Sequence, residues 1–135
     1  MTAARLERAF RRTGYEAAGI VVRLGRGRSE TAACLLRRLG TRAAGFVTAW
    51  NPHASRRPAG CNHRMQRALL ATTRRLPRLE GHGRGRGWEE HHVLIGAAPA
   101  ALLRLGRRFR QRAIVLLGPG GRARLVFVAG RRPYP

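Results

Sequence analysis

Leu6, Ala9 and Phe10 recur at helical spacing, and Thr2 before them can cap a short helix over residues 3 to 12 that Gly14 ends. Residues 17 to 24 (AAGIVVRL) are a continuous apolar run and predict a strand, followed by a turn at residues 25 to 28. Ser29 then caps a second helix, with Ala32, Leu35, Leu36 and Leu39 on one stripe before Gly40. A second strand is predicted over residues 44 to 50, stopped at Asn51-Pro52, because proline offers no N–H to a ladder. After a polar loop, a third helix is expected from Asn62 to about Leu76, with Met65, Leu69, Thr72 and Leu76 on one side and Pro77 as its stop. The GHGRGRG stretch at 81 to 87 reads as a mobile, glycine-rich segment. Residues 88 to 95 read as a strand, and Pro99 suits the first turn of a helix carrying Leu102, Leu105 and Phe109. Two apolar strands, 111 to 117 and 123 to 128, close the pattern as a hairpin through Gly118-Pro119-Gly120-Gly121.

The resulting order is α-β-α-β-α-β-α-β-β. It predicts an α/β (α+β) fold: one mixed β-sheet of about five strands with three to four packed helices. The 135 residues match the common size of one domain, and no repeat or composition break divides them, so residues 1–135 are expected to form a single domain. The hydrophobic share of 44% fits a chain with a packed core.

Charge changes the picture. All 28 basic residues are arginine and all 6 acidic residues are glutamate, giving a formal net charge of +22. Arginine clusters neutralise phosphates, so nucleic acid is an expected partner of this surface. Compositional drift toward arginine, alanine, glycine and proline explains the absence of lysine equally well, but it does not explain the absence of aspartate. Cys34 and Cys61 stand apart with no CxxC pattern and read as reduced thiols. No apolar run approaches the ~20 residues that cross a membrane. Ile20 to Val22 is too short for the apolar part of a signal peptide, and the chain reads as cytoplasmic.

Candidate chemistry lies at element ends. Trp50 and Asn51 leave a strand, a usual place for ligand groups, although Asn before Pro also makes an Asx turn. Asn62 opens a helix, as a cap or, with Arg64 nearby, as part of an anion site. In Trp88-Glu89-Glu90-His91-His92, alternation puts Glu89 with His91 on one face and Glu90 with His92 on the other. Each Glu–His pair is an acid–base unit or a solvated charge pair. His53, Cys61, His63, His82, His91 and His92 match no zinc spacing, so no metal is assigned. Gly83-Arg84-Gly85-Arg86-Gly87 precedes a strand rather than a helix, which makes it a poor dinucleotide loop. There is no GxSxG elbow and no Walker loop, and without paired aspartates a two-metal nuclease site of the usual carboxylate type is not expected. No cofactor is indicated.

Several segments agree with one pattern. Phe46-Val47-Thr48-Ala49-Trp50-Asn51-Pro52, then Asn62 with Arg64 and Leu69, then Trp88-Glu89-Glu90, then Leu105 to Val115 with its Phe109-x-Gln111-x-Ala113 string, resemble a bacterial family catalogued as domain of unknown function 3293. The resemblance covers residues 44 to 128 and implies a compact α/β domain without an established activity. Arg110 stands where the family pattern has glycine. Trp50, Asn51, Asn62, Trp88, Glu89, Glu90 and Gln111 are therefore expected to border one polar and aromatic cleft for a small or nucleotide-like ligand. The alternatives are a nucleic-acid-binding protein, or a polar network that only satisfies buried backbone groups.

The charge makes one direct prediction. Nucleic acid should bind with a steep salt dependence, each neutralised duplex phosphate adding about −0.9 to the log–log slope. Anisotropy titrations at several salt concentrations measure it. Binding lost near physiological salt, without preference among sequences, marks charge-driven adsorption; tight binding there marks a nucleic-acid-binding protein.

Overall fold

A computed structural model describes residues 2–25, 27–51 and 55–128; Pro52 and His53 lie outside the described residues. The elements are α1 (Ala3–Arg12), β1 (Gly14–Ala17), β2 (Ile20–Val22), α2 (Glu30–Leu39), β3 (Ala44–Val47), α3 (Ala59–Thr72), β4 (Arg78–Gly85), β5 (Trp88–Gly96), α4 (Pro99–Arg108), β6 (Ala113–Gly118) and β7 (Arg122–Phe127). The strands form one seven-stranded sheet in the order β2-β1-β4-β5-β3-β6-β7. The α+β class is as expected. The strand count is higher than the expected five, and each described pairing is antiparallel rather than mixed. No helix among the described residues is long and apolar enough to cross a membrane.

Two misread segments account for the extra strands. The apolar run at 17 to 24 is not one strand: Ala18 and Gly19, at φ 50° and 77°, turn the chain back, and β1 pairs with β2. The glycine-rich run at 81 to 87 is mostly strand β4, paired with β5 from Arg78 to Gly85 and with β1 from Gly81 to Arg84.

Opposite residues of antiparallel neighbours share a face. On one face Tyr15, Phe46, Leu94, Val115 and Leu117 pack against Ala32, Leu35 and Leu36 of α2. On the other, Val47, Val93, Ile95, Ile114 and Leu116 pack against Leu69 of α3 and Leu102 of α4. The register puts Gly81, Gly83 and Gly85 on the first face, opposite His92, Glu90 and Trp88. A Cβ on Gly83 would stand 2.8 Å from the His92 ring, and one on Gly85 would stand 2.2 Å from the Trp88 indole. Both rings therefore lie directly on the β4 backbone.

The N-termini of α1 and α2 are built as their caps predicted, whereas α3 ends at Thr72, short of the expected Leu76. Thr2 Oγ1 accepts from Arg5 N–H at 3.2 Å, and Ser29 Oγ accepts from Ala32 N–H at 3.2 Å. α2 closes in a Schellman turn: Gly40 N–H donates to Arg37 O and Thr41 N–H to Leu36 O, with Gly40 left-handed at φ 69°. α4 closes the same way, Arg110 N–H donating to Arg107 O at 3.1 Å and Gln111 N–H to Gly106 O at 2.8 Å. Here the left-handed position, at φ 57°, is held by Arg110.

A left-handed non-glycine residue costs roughly 1–2 kcal/mol. Part of that cost is offset by the lower entropy of an unfolded chain without the glycine. Arg110→Gly is expected to raise the melting temperature by a few degrees, while Arg110→Ala leaves it unchanged. Thermal unfolding of both variants checks this, and equal effects would show that lost charge, not backbone strain, governs the position.

Candidate functional site

The site is organised by how the chain leaves β3. Beyond Val47 no strand pairs the backbone, so its N–H groups need other partners. Thr48 Oγ1 accepts from Trp50 N–H at 3.0 Å and donates to His91 O at 2.6 Å. Gln66 Oε1 accepts from Ala49 N–H at 3.2 Å, and Asn62 Oδ1 accepts from Asn51 N–H at 2.9 Å. Both amides project from α3, one turn apart. Asn62 also donates through Nδ2 to Asn51 Oδ1 at 3.0 Å and to Arg57 O at 3.2 Å. Asn51 sits at φ 48°, a conformation that Asn tolerates better than most residues.

Asn62 is thus not the helix cap its position suggested. α3 starts three residues earlier, at Ala59 behind Pro58, and Asn62 lies in its first turn, 3% exposed. Its side chain points back to tie Asn51 and Arg57 together.

A cavity of about 590 Å³ opens between α1, the first sheet face and this loop. Trp50, Asn51, Asn62, Trp88, Glu89, Glu90 and Gln111 all border it. Their parts differ. Asn51 Nδ2 donates to Glu90 Oε1 at 2.7 Å, so Glu90 is the glutamate that joins the network. Glu89 touches the rim, but its carboxylate meets Arg84 at 3.0 Å and His82 at 3.4 Å on the opposite face. Gln111 donates to Trp50 O at 3.1 Å and Phe109 O at 3.2 Å. Trp88 is 44% exposed at the mouth. Trp50 contributes mainly its backbone: its indole stacks on His91, with centroids 5.1 Å apart and planes 13° apart, and meets His63 edge-on at 5.3 Å.

Among the cavity residues not singled out for the cleft from the sequence are Tyr15, Thr48, Arg57 and His92. His92 was visible only as Glu90's partner in the EEHH run. It is 6% exposed, and neither ring nitrogen has a hydrogen-bond partner among the described residues. Its Nε2 stands 3.5 Å from Glu90 Oε2, and its ring lies 5.7 Å from Tyr15. Burial raises the Tyr15 phenol well above its ordinary value; a hydrogen bond with Thr13 works against this and the Glu90 charge works with it. Tyr15 therefore acts as a neutral hydroxyl.

The opposite face carries a separate histidine cluster. His82 and His91 are 4.9 Å apart and His63 and His91 5.7 Å apart. Burial lowers the His91 pKa, and the neighbouring His82 and His63 lower it further. Among the described residues no group of three or more His, Cys, Asp or Glu is placed to hold a metal ion.

Asn62→Ala should cost about 1–3 kcal/mol, because it leaves the buried Asn51 N–H unpaired. Asn51→Gly should lose the side-chain bonds yet keep the left-handed backbone, so it should be milder than Asn51→Ala by about 1 kcal/mol. Denaturant titration of the three variants tests this, and near-neutral behaviour of Asn62→Ala would show that the amide pair does not hold the loop.

No curated protein and no solved structure matches the chain. A family model does, over residues 47–114, the span that runs from the end of β3 through the amide network and Glu90 to Gln111. The chain belongs to the family described as protein of unknown function (DUF3293).

Proposed function

We propose that this is a cytoplasmic bacterial binding domain whose cavity takes a small or nucleotide-like ligand. The observation that carries the reading is His92. A buried imidazole with neither nitrogen hydrogen-bonded is costly, on the order of 1–3 kcal/mol for a lost partner. A bound molecule that supplies the partner removes that cost. It stands in the wall of a cavity whose volume, about 590 Å³, falls within the usual range for small-molecule sites. Leu6, Phe10 and Phe46 give that cavity apolar walls, and Glu90, His92 and Gln111 give it a few convergent polar groups. Cys34 and Cys61 are free thiols, which suits a reducing compartment.

Asn51 and Asn62 fit the structural alternative in part, since they bond each other and the loop. That alternative leaves His92 without an explanation. The nucleic-acid reading rests on the +22 charge alone. Arginines occupy all four helices, including Arg8, Arg37, Arg67 and Arg104, on both sides of the sheet.

The test is a thermal-shift screen of nucleosides, nucleotides, amines and amino acids. A true ligand at about 100 times its Kd adds about 2.7 kcal/mol of stability, a shift of several degrees. The shift should disappear in His92→Gln while that variant still unfolds cooperatively. A screen without hits, or a hit that His92→Gln binds equally well, refutes the reading.

A further inference from the structure

The cavity's unmatched hydrogen-bonding capacity is directional. Asn62 has its oxygen and both amide hydrogens engaged, and Thr48 both donates and accepts. Two acceptors remain on the inner wall. Gln111 donates twice through Nε2, but its Oε1 takes no hydrogen bond among the described residues. Glu90 receives one short hydrogen bond, from Asn51, and has His92 at 3.5 Å.

Glu90 lines the cavity and differs from the arginine-paired glutamates in its partners. Glu7, Glu30 and Glu89 are each paired with an arginine at 2.9 to 3.1 Å. Glu16 meets His82 instead, and exposed Glu80 makes no ion pair among the described residues. Glu90, 25% exposed in the cavity, has no arginine partner among the described residues. A carboxylate accepts two parallel N–H bonds from a planar donor pair better than it accepts from a single point donor.

The rim has the opposite character. Arg56 and Arg57 border the cavity and are exposed, and neither guanidinium makes an ion pair or hydrogen bond among the described residues. The Arg57 backbone is fixed, its N–H donating to Asn51 Oδ1 at 2.9 Å and its carbonyl accepting from Asn62. Trp88, two residues from Glu90 on the same face of β5, offers an exposed indole beside them.

Resting on the binding reading above, we propose that the ligand presents a planar edge of two adjacent N–H donors to Glu90 and an anionic group to Arg56 and Arg57. Guanine nucleotides and guanidino acids share this chemistry. Trp88 stacks on the planar part, and Gln111 Oε1 and His92 take its remaining donors and acceptors.

The experiment is isothermal titration calorimetry on the whole chain at physiological salt, with GMP, AMP, guanosine, L-arginine and inorganic phosphate as probes. GMP or L-arginine should bind at least about tenfold more tightly than AMP and phosphate, as expected for a bidentate donor pair. GMP with guanosine identifies the nucleotide source, and L-arginine alone identifies the guanidino-acid source. Glu90→Gln, whose amide oxygen can still accept from Asn51, should remove about tenfold or more of the preferred probe's affinity while the variant still unfolds cooperatively. Arg57→Ala should weaken GMP but leave guanosine unchanged. Equal binding of AMP and GMP, indifference to Glu90→Gln, or failure of both GMP and L-arginine overturns the proposal. If the wider screen then yields a His92-dependent ligand without such an edge, the binding cavity stands and only this assignment falls. If that screen is also empty, both fall.

Discussion

The reciprocal amide pair between Asn51 and Asn62 is the constraint on which the rest of the site depends. A chain leaving a central strand exposes N–H groups that the sheet no longer pairs, and they cannot be left buried without a partner. α3 supplies those partners from two side chains spaced one turn apart, Asn62 and Gln66. The helix is thereby locked against the end of β3. The left-handed turn at Asn51 follows, since the same side chain must face Asn62, Arg57 and Glu90 at once. The loop, the helix and β5 are joined at one residue. Shifting any of them moves the Glu90 carboxylate.

The second constraint is the glycine alternation of β4. Gly81, Gly83 and Gly85 project toward the cavity face, where a side chain would fill the space that His92 and Trp88 occupy. Gly81 also allows close approach of β1, since a Cβ there would stand 1.9 Å from Glu16 O. β1 is in turn what brings Tyr15 over His92. Three small residues thus set both the packing distance of the neighbouring strand and the depth of the cavity. Strand propensity disfavours glycine, and here tertiary fit overrides it.

Helices α1, α2 and α4 were legible because caps and apolar spacing agree, and the β6–β7 hairpin because its glycines lie between two apolar runs. The β1–β2 turn was hidden in an unbroken apolar run, with alanine rather than glycine or asparagine at its first left-handed position. β4 was hidden because its glycines read as a loop when they are a cleared strand face. Of the site, the residues at element ends were legible by position: Asn51, Asn62, Glu90 and Gln111. Local sequence could not separate Glu89 from Glu90, as only the pairing register shows which faces Asn51. Tyr15 was invisible, since its place beside His92 depends on a strand pairing between distant segments.

Electrostatics gives the cavity its asymmetry. In a chain of net charge +22 a carboxylate is the scarce group, and Glu7, Glu30 and Glu89 each meet an arginine. Exposed pairs of that kind contribute little, about 0–1 kcal/mol, so their number says little about stability. An acid that lines a cavity and meets no arginine among the described residues is more informative than any of them. Asn51 does this to Glu90: a neutral amide occupies the position where a guanidinium would otherwise bond, at 2.7 Å. An arginine there would have neutralised the carboxylate and filled the cavity mouth. The amide stabilises the charge without cancelling it, and leaves the second carboxylate oxygen 3.5 Å from the buried His92 imidazole. Within the family-matched span, Glu90 is thus a cavity-lining acid held by an amide and an imidazole rather than by an arginine.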